Sequence, residues 1–187
     1  MPAHEPGGTH PAVFFDRDGT LMSEVDYCDD PAKVFVFAEV SGALRNLKDA
    51  GFKNIIVTNQ SGIGRGYYTE AQYHAVHAEL LRQIGDGLID GTYFCPAAPE
   101  QNSPRRKPHP AMVLEAAGEH GIDLARSFFI GDKTSDIECG RRAGTRTILV
   151  LTGYGKKDHE AGGPDFVASD VNEAIGIVLK GGSQQHG

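Results

Sequence analysis

Three short apolar runs in this chain each break off into a cluster of polar residues, and that repeated break constrains the fold more than any bulk property. Val13-Phe14-Phe15 ends in Asp16-Arg17-Asp18-Gly19-Thr20, Asn54-Ile55-Ile56-Val57 ends in Thr58-Asn59-Gln60-Ser61-Gly62, and Ser127-Phe128-Phe129-Ile130 ends in Gly131-Asp132-Lys133-Thr134-Ser135-Asp136. Runs of this length read as buried strands, and the amphipathic stretches between them read as helices. The alternation predicts an α/β protein with a mainly parallel sheet. Ligand crevices in such sheets lie at the carboxyl ends of the strands, where all three polar clusters would fall.

The pattern predicts strands at 12–16, 53–58, 92–95, 127–131, 146–151 and 165–168, and helices near 39–50, 70–85, 110–120, 134–143 and 170–180. Residues 96–109 and the glycine-rich stretch Gly153 to Gly163 read as loops. At 187 residues the chain is long enough for one substantial core. One domain is expected over 12–180, between a flexible N-terminal segment, 1–11, and a flexible tail, 181–187. In the helix over 70–85, Ala71, Ala75, Ala78 and Leu81, with Val76 and Leu80 nearby, read as the packing stripe. His74 and His77 lie three apart without the glutamate and four-residue spacing of a metal helix, so they read as surface or packing residues.

A net charge of −7 and a pI near 5.6 argue against general binding to nucleic acid. Cys28, Cys95 and Cys139 are too scattered for a secreted disulfide framework. No apolar run approaches the roughly 20 residues that span a bilayer, and the first eleven residues do not read as a signal peptide. The expectation is a cytoplasmic monomer with no membrane or nucleic-acid partner. Asp26, Asp29 and Asp30 lack the glycine and closing glutamate of a calcium loop. The glycines from Gly62 to Gly66 do not have the spacing of a dinucleotide fingerprint, and no NTPase loop is present.

Asp16 and Asp18, two residues apart, can face the same side of an extended segment. One can attack an electrophile or hold a cation while the other passes a proton; a simple Asp-Gly turn is the alternative. Thr58 and the following backbone N–H groups can converge on an anion, or Thr58 can merely cap a helix. Arg105-Arg106-Lys107-Pro108 offers cations in a proline-stiffened loop, or a solvated charge cluster. Asp132 and Asp136, four apart, can support a cation, or can be a loop acid and a helix-start acid. Each segment has an ordinary structural explanation alone. Together they supply an acid pair, a hydroxyl, a lysine and a second acid pair, which is the complete inventory of one site.

DRDGT, TNQSG, RRKP and GDKTSD resemble the four motifs of the haloacid dehalogenase superfamily of phosphotransferases, over roughly residues 12 to 155. TNQSGIGRG and RKPHPAM are most similar to the branch containing heptose 1,7-bisphosphate phosphatases and histidinol-phosphatases. The resemblance implies a three-layer Rossmann-like sandwich. The short intervals between motifs leave no room for a large cap domain. It further implies a Mg²⁺-dependent phosphomonoester hydrolase acting through an aspartyl-phosphate, with D-glycero-D-manno-heptose 1,7-bisphosphate as the leading substrate. Histidinol phosphate or a broad set of small phosphorylated metabolites are the alternatives. A non-catalytic phospho-acceptor module is the alternative of a different class, and Asp18 argues against it.

By the resemblance, Asp16 is the nucleophile, Asp18 the acid/base, and Thr58 and Lys107 steady the phosphoryl group. Glu24, Tyr27, Asn59, Gln60, Ser61, Arg106 and Lys133 contact substrate; Asp16, the main-chain carbonyl of Asp18 and Asp132 hold Mg²⁺. Arg106, beside Lys107, suits a second anionic group, hence a sugar bisphosphate. Many relatives bind a structural zinc in the loop after Cys95. Here Ala97, Ser103 and Arg105 replace the other three ligands, and no structural zinc is expected.

Overall fold

A computed structural model describes residues 9–159 and 163–182. Six strands form one sheet in the order β3-β2-β1-β4-β5-β6, and every neighbouring pair is parallel. They are β1 (Ala12–Phe15), β2 (Lys53–Asn59), β3 (Gly91–Cys95), β4 (Phe128–Gly131), β5 (Arg146–Val150) and β6 (Phe166–Ala168). The helices are α1 (Val40–Asp49), α2 (Ser61–Gly64), α3 (Glu70–Ile84), α4 (Ala111–His120), α5 (Thr134–Ala143), α6 (Gly155–Asp158) and α7 (Val171–Gly182).

The apolar runs are continuous because both faces of the central strands are covered. On one face Val13, Phe15, Ile56, Phe128 and Ile130 pack with residues of α1, α3 and α7. On the other, Ala12, Phe14, Ile55, Val57 and Phe129 pack with residues of α4 and α5. This gives the three layers, with β1 at the centre. Phe14 and Phe129 are fully buried, their rings stacked with centroids 6.2 Å apart.

Strand order reverses between β1 and β4, which opens a crevice at their carboxyl ends. The register pairs Phe15 with both Ile56 and Ile130. The residues that follow, Asp16, Val57-Thr58 and Gly131-Asp132, therefore lie side by side just past the end of β1. Gly19 follows with φ 82°, and a side chain there would overlap the Asp132 carboxylate. Only glycine permits both the left-handed turn and that close approach.

Three expectations need correction. The packing stripe of α3 is Tyr73, Val76, Leu80 and Ile84, at spacings of three and four, whereas Ala71, Ala75 and Ala78 are exposed. Alanine is a weak marker of orientation because its methyl group gains little from burial, and the larger side chains decide the face. His77 is half-buried and shares a hydrogen bond with Thr92 Oγ1 at 3.0 Å, while the exposed His74 faces Glu70.

Second, the stretch read as a loop from Gly153 contains α6, one helical turn whose Asp158 accepts hydrogen bonds from the backbone N–H and hydroxyl of Thr134. Third, the last helix runs through Gly181 and Gly182, two residues that were expected in the tail. The expected flexible ends at 1–8 and 183–187 lie outside the described residues, as do 160–162. His10 exchanges backbone hydrogen bonds with Gly121 and Asp123, tying that part of the N-terminal segment to the end of α4. Among the described residues no helix is long and apolar enough to cross a membrane.

Deleting the Phe14 ring removes the stacked pair at the centre of the sheet. Phe14→Ala is expected to cost about 3–5 kcal/mol of stability, read as a fall in the urea midpoint with unchanged slope; a loss below about 1 kcal/mol would contradict this packing.

Candidate active site

The four motifs converge at the carboxyl edge of β1, β2 and β4. Lys107 Nζ lies at the floor and donates to Asp16 Oδ1 at 2.8 Å, Asp136 Oδ1 at 2.7 Å and the Val57 carbonyl at 2.8 Å. All three of its protons are used. Asn59 at the end of β2 grips the Lys107 backbone twice, donating to its carbonyl at 3.1 Å and accepting from its N–H at 3.0 Å. That reciprocal pair delivers a loop lysine to a strand-end aspartate 91 residues away.

Asp16, Asp132 and Asp136 are buried, with ligand oxygens within 4.8 Å of one another. Burial works to raise the Asp16 pKa, but the charges of Lys107 and Lys133 outweigh it and hold the carboxyl below its usual range. Asp132 lacks a cationic hydrogen-bond partner. Burial and the neighbouring charges of Asp16 and Asp136 push it up to about 9. Asp136 rises to about 6, from burial and Asp16 against the pull of Lys107.

A hard divalent cation fits this donor set. Asp132 Oδ2 accepts from the Tyr154 N–H at 2.9 Å, while its Oδ1 is buried without a hydrogen-bond partner. Such an orphan oxygen is costly unless a cation or proton meets it. Asp136 belongs to the cluster by distance, yet its oxygens are committed to Lys107 and to the backbone N–H of Lys133. It anchors the lysine, and Asp16 and Asp132 are the side chains that could hold the cation.

Two polar cavities open above this floor. The smaller, about 100 Å³, is lined by Asp16, Asp18, Asn59, Ser61, Arg106, Lys107, Lys133, Ser135 and Asp136. The larger, about 160 Å³, shares Asp18, Asn59, Ser61 and Lys133 and adds Glu24, Tyr27, Gln60, Tyr68 and Tyr154, among others. Lys133 Nζ sits 4.7 Å from the centre of the Tyr154 ring, and Tyr154 donates its hydroxyl to Asp26 at 3.1 Å. Glu24 Oε2 is buried without a partner, and burial together with the Asp18 charge pushes its carboxyl up to about 7. Tyr27, at φ 52°, stands at the rim with its ring edge-on to Tyr67, centroids 4.7 Å apart. The Arg106 guanidinium donates to the Ala97 carbonyl at 3.0 Å, and burial lowers its pKa.

Every residue expected at the site therefore lies at one edge of the sheet, though not all in the expected attitude. Thr58 is buried and lines neither cavity; its hydroxyl accepts from Gln60 Nε2 at 2.8 Å, so it has only its own proton to offer an anion. The Gln60 side chain reaches back to Asp18 at 3.0 Å. Asp18 also accepts from Arg17 Nε at 2.9 Å and Nη2 at 3.1 Å. Sequence reasoning missed Arg17, Tyr68, Ser135 and Tyr154. Arg17 carried a signal, a cation between two acids at a strand end. Tyr154 sits in a glycine-rich stretch with none.

In the loop after Cys95, Arg105 Nε donates to the Phe94 carbonyl at 3.2 Å and its guanidinium pairs with Glu115. Ser103 accepts from the Arg105 N–H at 3.2 Å and faces Cys95 Sγ at 3.8 Å.

Without a cation, Asp132 is neutral below about pH 4 in both the folded and the unfolded chain, and ionised only in the unfolded chain from there up to about pH 9. Metal-free protein should thus lose stability as pH rises across that window. Mg²⁺ at 100 times its Kd should restore about 2.7 kcal/mol, and Asp132→Asn should remove the Mg²⁺ response and the part of the pH slope between about 7 and 9, above the ranges in which Glu24 and Asp136 also titrate, in thermal melts. An unchanged Mg²⁺ response in that variant would refute the ligand assignment.

Comparison with known proteins bears on the same residues. A family model described as HAD-hydrolase-like matches residues 104–174. A D-glycero-D-manno-heptose-1,7-bisphosphate 7-phosphatase from Thermosynechococcus vestitus is 39% identical over 183 residues, covering 88% of this chain and 93% of the relative. The D-glycero-beta-D-manno-heptose-1,7-bisphosphate 7-phosphatase of Escherichia coli K12 is 39% identical over 180 residues, covering 91% and 94%. Among solved structures, a D,D-heptose 1,7-bisphosphate phosphatase from B. bronchiseptica complexed with magnesium and phosphate superposes with a TM-score of 0.84 at 29% identity. That match covers 91% of this chain and 99% of the other. With these relatives aligned over most of its length, and with the four motifs assembled at one sheet edge, the chain belongs to the haloacid dehalogenase-like hydrolases and is a phosphatase of that family.

Proposed function

We propose that the chain hydrolyses the 7-phosphate of D-glycero-D-manno-heptose 1,7-bisphosphate, with Asp16 as nucleophile. The observation that carries this is the pairing of Asp16 with Lys107 on the floor of the smaller cavity, which shares Asp18, Asn59, Ser61 and Lys133 with the larger polar one. A carboxylate can approach an anionic phosphate only if positive charge neutralises both partners. Lys107 and Lys133 provide such charge beside Asp16. Asp16, Asp132 and the main-chain carbonyl of Asp18 would hold Mg²⁺, which supplies Lewis-acid charge to the phosphoryl oxygens.

Asp16 attacks phosphorus, the bond to the ester oxygen breaks, and Asp18 donates a proton to the departing alkoxide. A water then gives its proton to Asp18 and attacks phosphorus, the acyl-phosphate bond breaks, and the Asp16 carboxylate is regenerated. Lys107 would steady the phosphoryl group by exchanging one of its three present hydrogen bonds for a phosphoryl oxygen, and Thr58 by turning its own hydroxyl proton toward it. Glu24, Tyr27, Asn59 and Ser61 meet the sugar, and Arg106 and Lys133 answer a second phosphate. The similarity to named heptose bisphosphatases supports this substrate.

We further propose a cytoplasmic monomer without structural zinc. Three buried free cysteines suit a reducing compartment, and Arg105 with Ser103 ties the loop after Cys95 by hydrogen bonds.

Asp16→Asn should abolish turnover, and Asp18→Asn should reduce it by about 10²- to 10⁴-fold while sparing binding. kcat/KM should be highest for the heptose bisphosphate in a panel with sugar monophosphates and histidinol phosphate; a higher value for histidinol phosphate would overturn the substrate assignment. Elemental analysis should find negligible zinc, and a stoichiometric amount would contradict the loop reading.

A further inference from the structure

The buried side chains behind Asp18 form a closed hydrogen-bond circuit that the proposed chemistry does not use. Arg17 is 1% exposed and lies over the Tyr73 ring, 5.4 Å from its centre. Its guanidinium forks onto both oxygens of Asp18, and Nη2 also reaches Gln60 Oε1 at 3.3 Å. Gln60 Oε1 accepts a second bond from the Tyr68 hydroxyl at 2.6 Å, while Nε2 donates to Asp18 at 3.0 Å and to Thr58 at 2.8 Å. All four hydrogen-bonding positions of the amide are filled.

Arginine can only donate, so the Gln60 face toward Arg17 must be its oxygen and the face toward Asp18 its NH₂. The Tyr68 ring occupies the space where a side chain on Gly62 would stand, so the glycine at the start of α2 makes room for the tyrosine. A buried arginine is costly unless paired, and its charged partner here is Asp18.

Asp18 lines both cavities, the small one that holds Asp16 and Lys107 and the larger one beyond. In a phosphate ester that spans them, the bond to be broken lies at their junction. We propose that Arg17, Gln60 and Tyr68 are positioning residues that fix the Asp18 carboxylate at that junction, where it meets the ester oxygen. Gln60 then serves the reaction through Asp18, and its side chain is not a sugar ligand. This rests on the reading of Asp18 as the acid.

Leaving groups distinguish positioning from general damage. An alkoxide needs a proton to depart, whereas 4-nitrophenolate hardly does, and kcat/KM reports only the steps up to departure of the alcohol. For Gln60→Met and Arg17→Lys, kcat/KM on a sugar phosphate should fall at least about tenfold, against less than about threefold on 4-nitrophenyl phosphate. Tyr68→Phe, which keeps the ring over Gly62 and guards against misfolding of the more buried variants, should show the same selectivity at about three- to tenfold. Equal losses on the two esters in Tyr68→Phe and Gln60→Met, or no loss on either, would overturn the proposal. Asp18→Asn is the internal control: if it also lowers both esters equally, the acid assignment fails and the positioning proposal falls with it. If Asp18→Asn is selective and the others are not, the positioning proposal alone fails.

Discussion

Lys107 is the cation around which the floor of the site is arranged. Asp16, Asp132 and Asp136 bring three carboxyl groups into a space from which water is largely excluded, and mutual repulsion would push them apart or protonate them. The lysine spends its three protons on two of these carboxylates and one carbonyl, leaving Asp132 with a buried oxygen that no hydrogen bond meets. Breaking a buried ion pair by removing one partner is far more damaging than the pair is stabilising.

The fold exists around that floor in a direct sense. Parallel strands with both faces covered let apolar residues run up to the strand ends, and the register places Asp16 and Asp132 in adjacent positions. Asn59 then fixes the lysine loop through two hydrogen bonds to its backbone. Gly19 lets the chain turn against Asp132 without a side chain in the way. Substrate-side diversity is left to the rim, where Tyr27, Tyr67 and Tyr154 stand partly exposed above rigid strand ends.

The central strands were legible because Val13-Phe14-Phe15 and Ser127-Phe128-Phe129-Ile130 are apolar on both faces, and the motifs that follow them carried their charges openly. What the sequence hid was the direction of side chains after a strand ends, where period-two alternation no longer applies. Gln60 could have pointed to substrate or back to Asp18; a buried Arg17 decided it. The stripe on α3 was misassigned because small alanines competed with Tyr73 and Ile84 for the same periodicity. Helices α2 and α6 are four residues each, too short to show any period, and α6 depends on Asp158 meeting Thr134 across 24 residues.

Every role proposed for the site follows from covalent capture of phosphorus by Asp16 on the Lys107 floor. Crystals grown with Mg²⁺ and beryllium fluoride test it most directly, because the beryllium forms a bond to a carboxylate oxygen in imitation of an acyl-phosphate. Beryllium bonded to Asp16, with its fluorides facing Lys107, is the predicted result; beryllium bonded to another residue, with Asp16 left as a bystander, would contradict it.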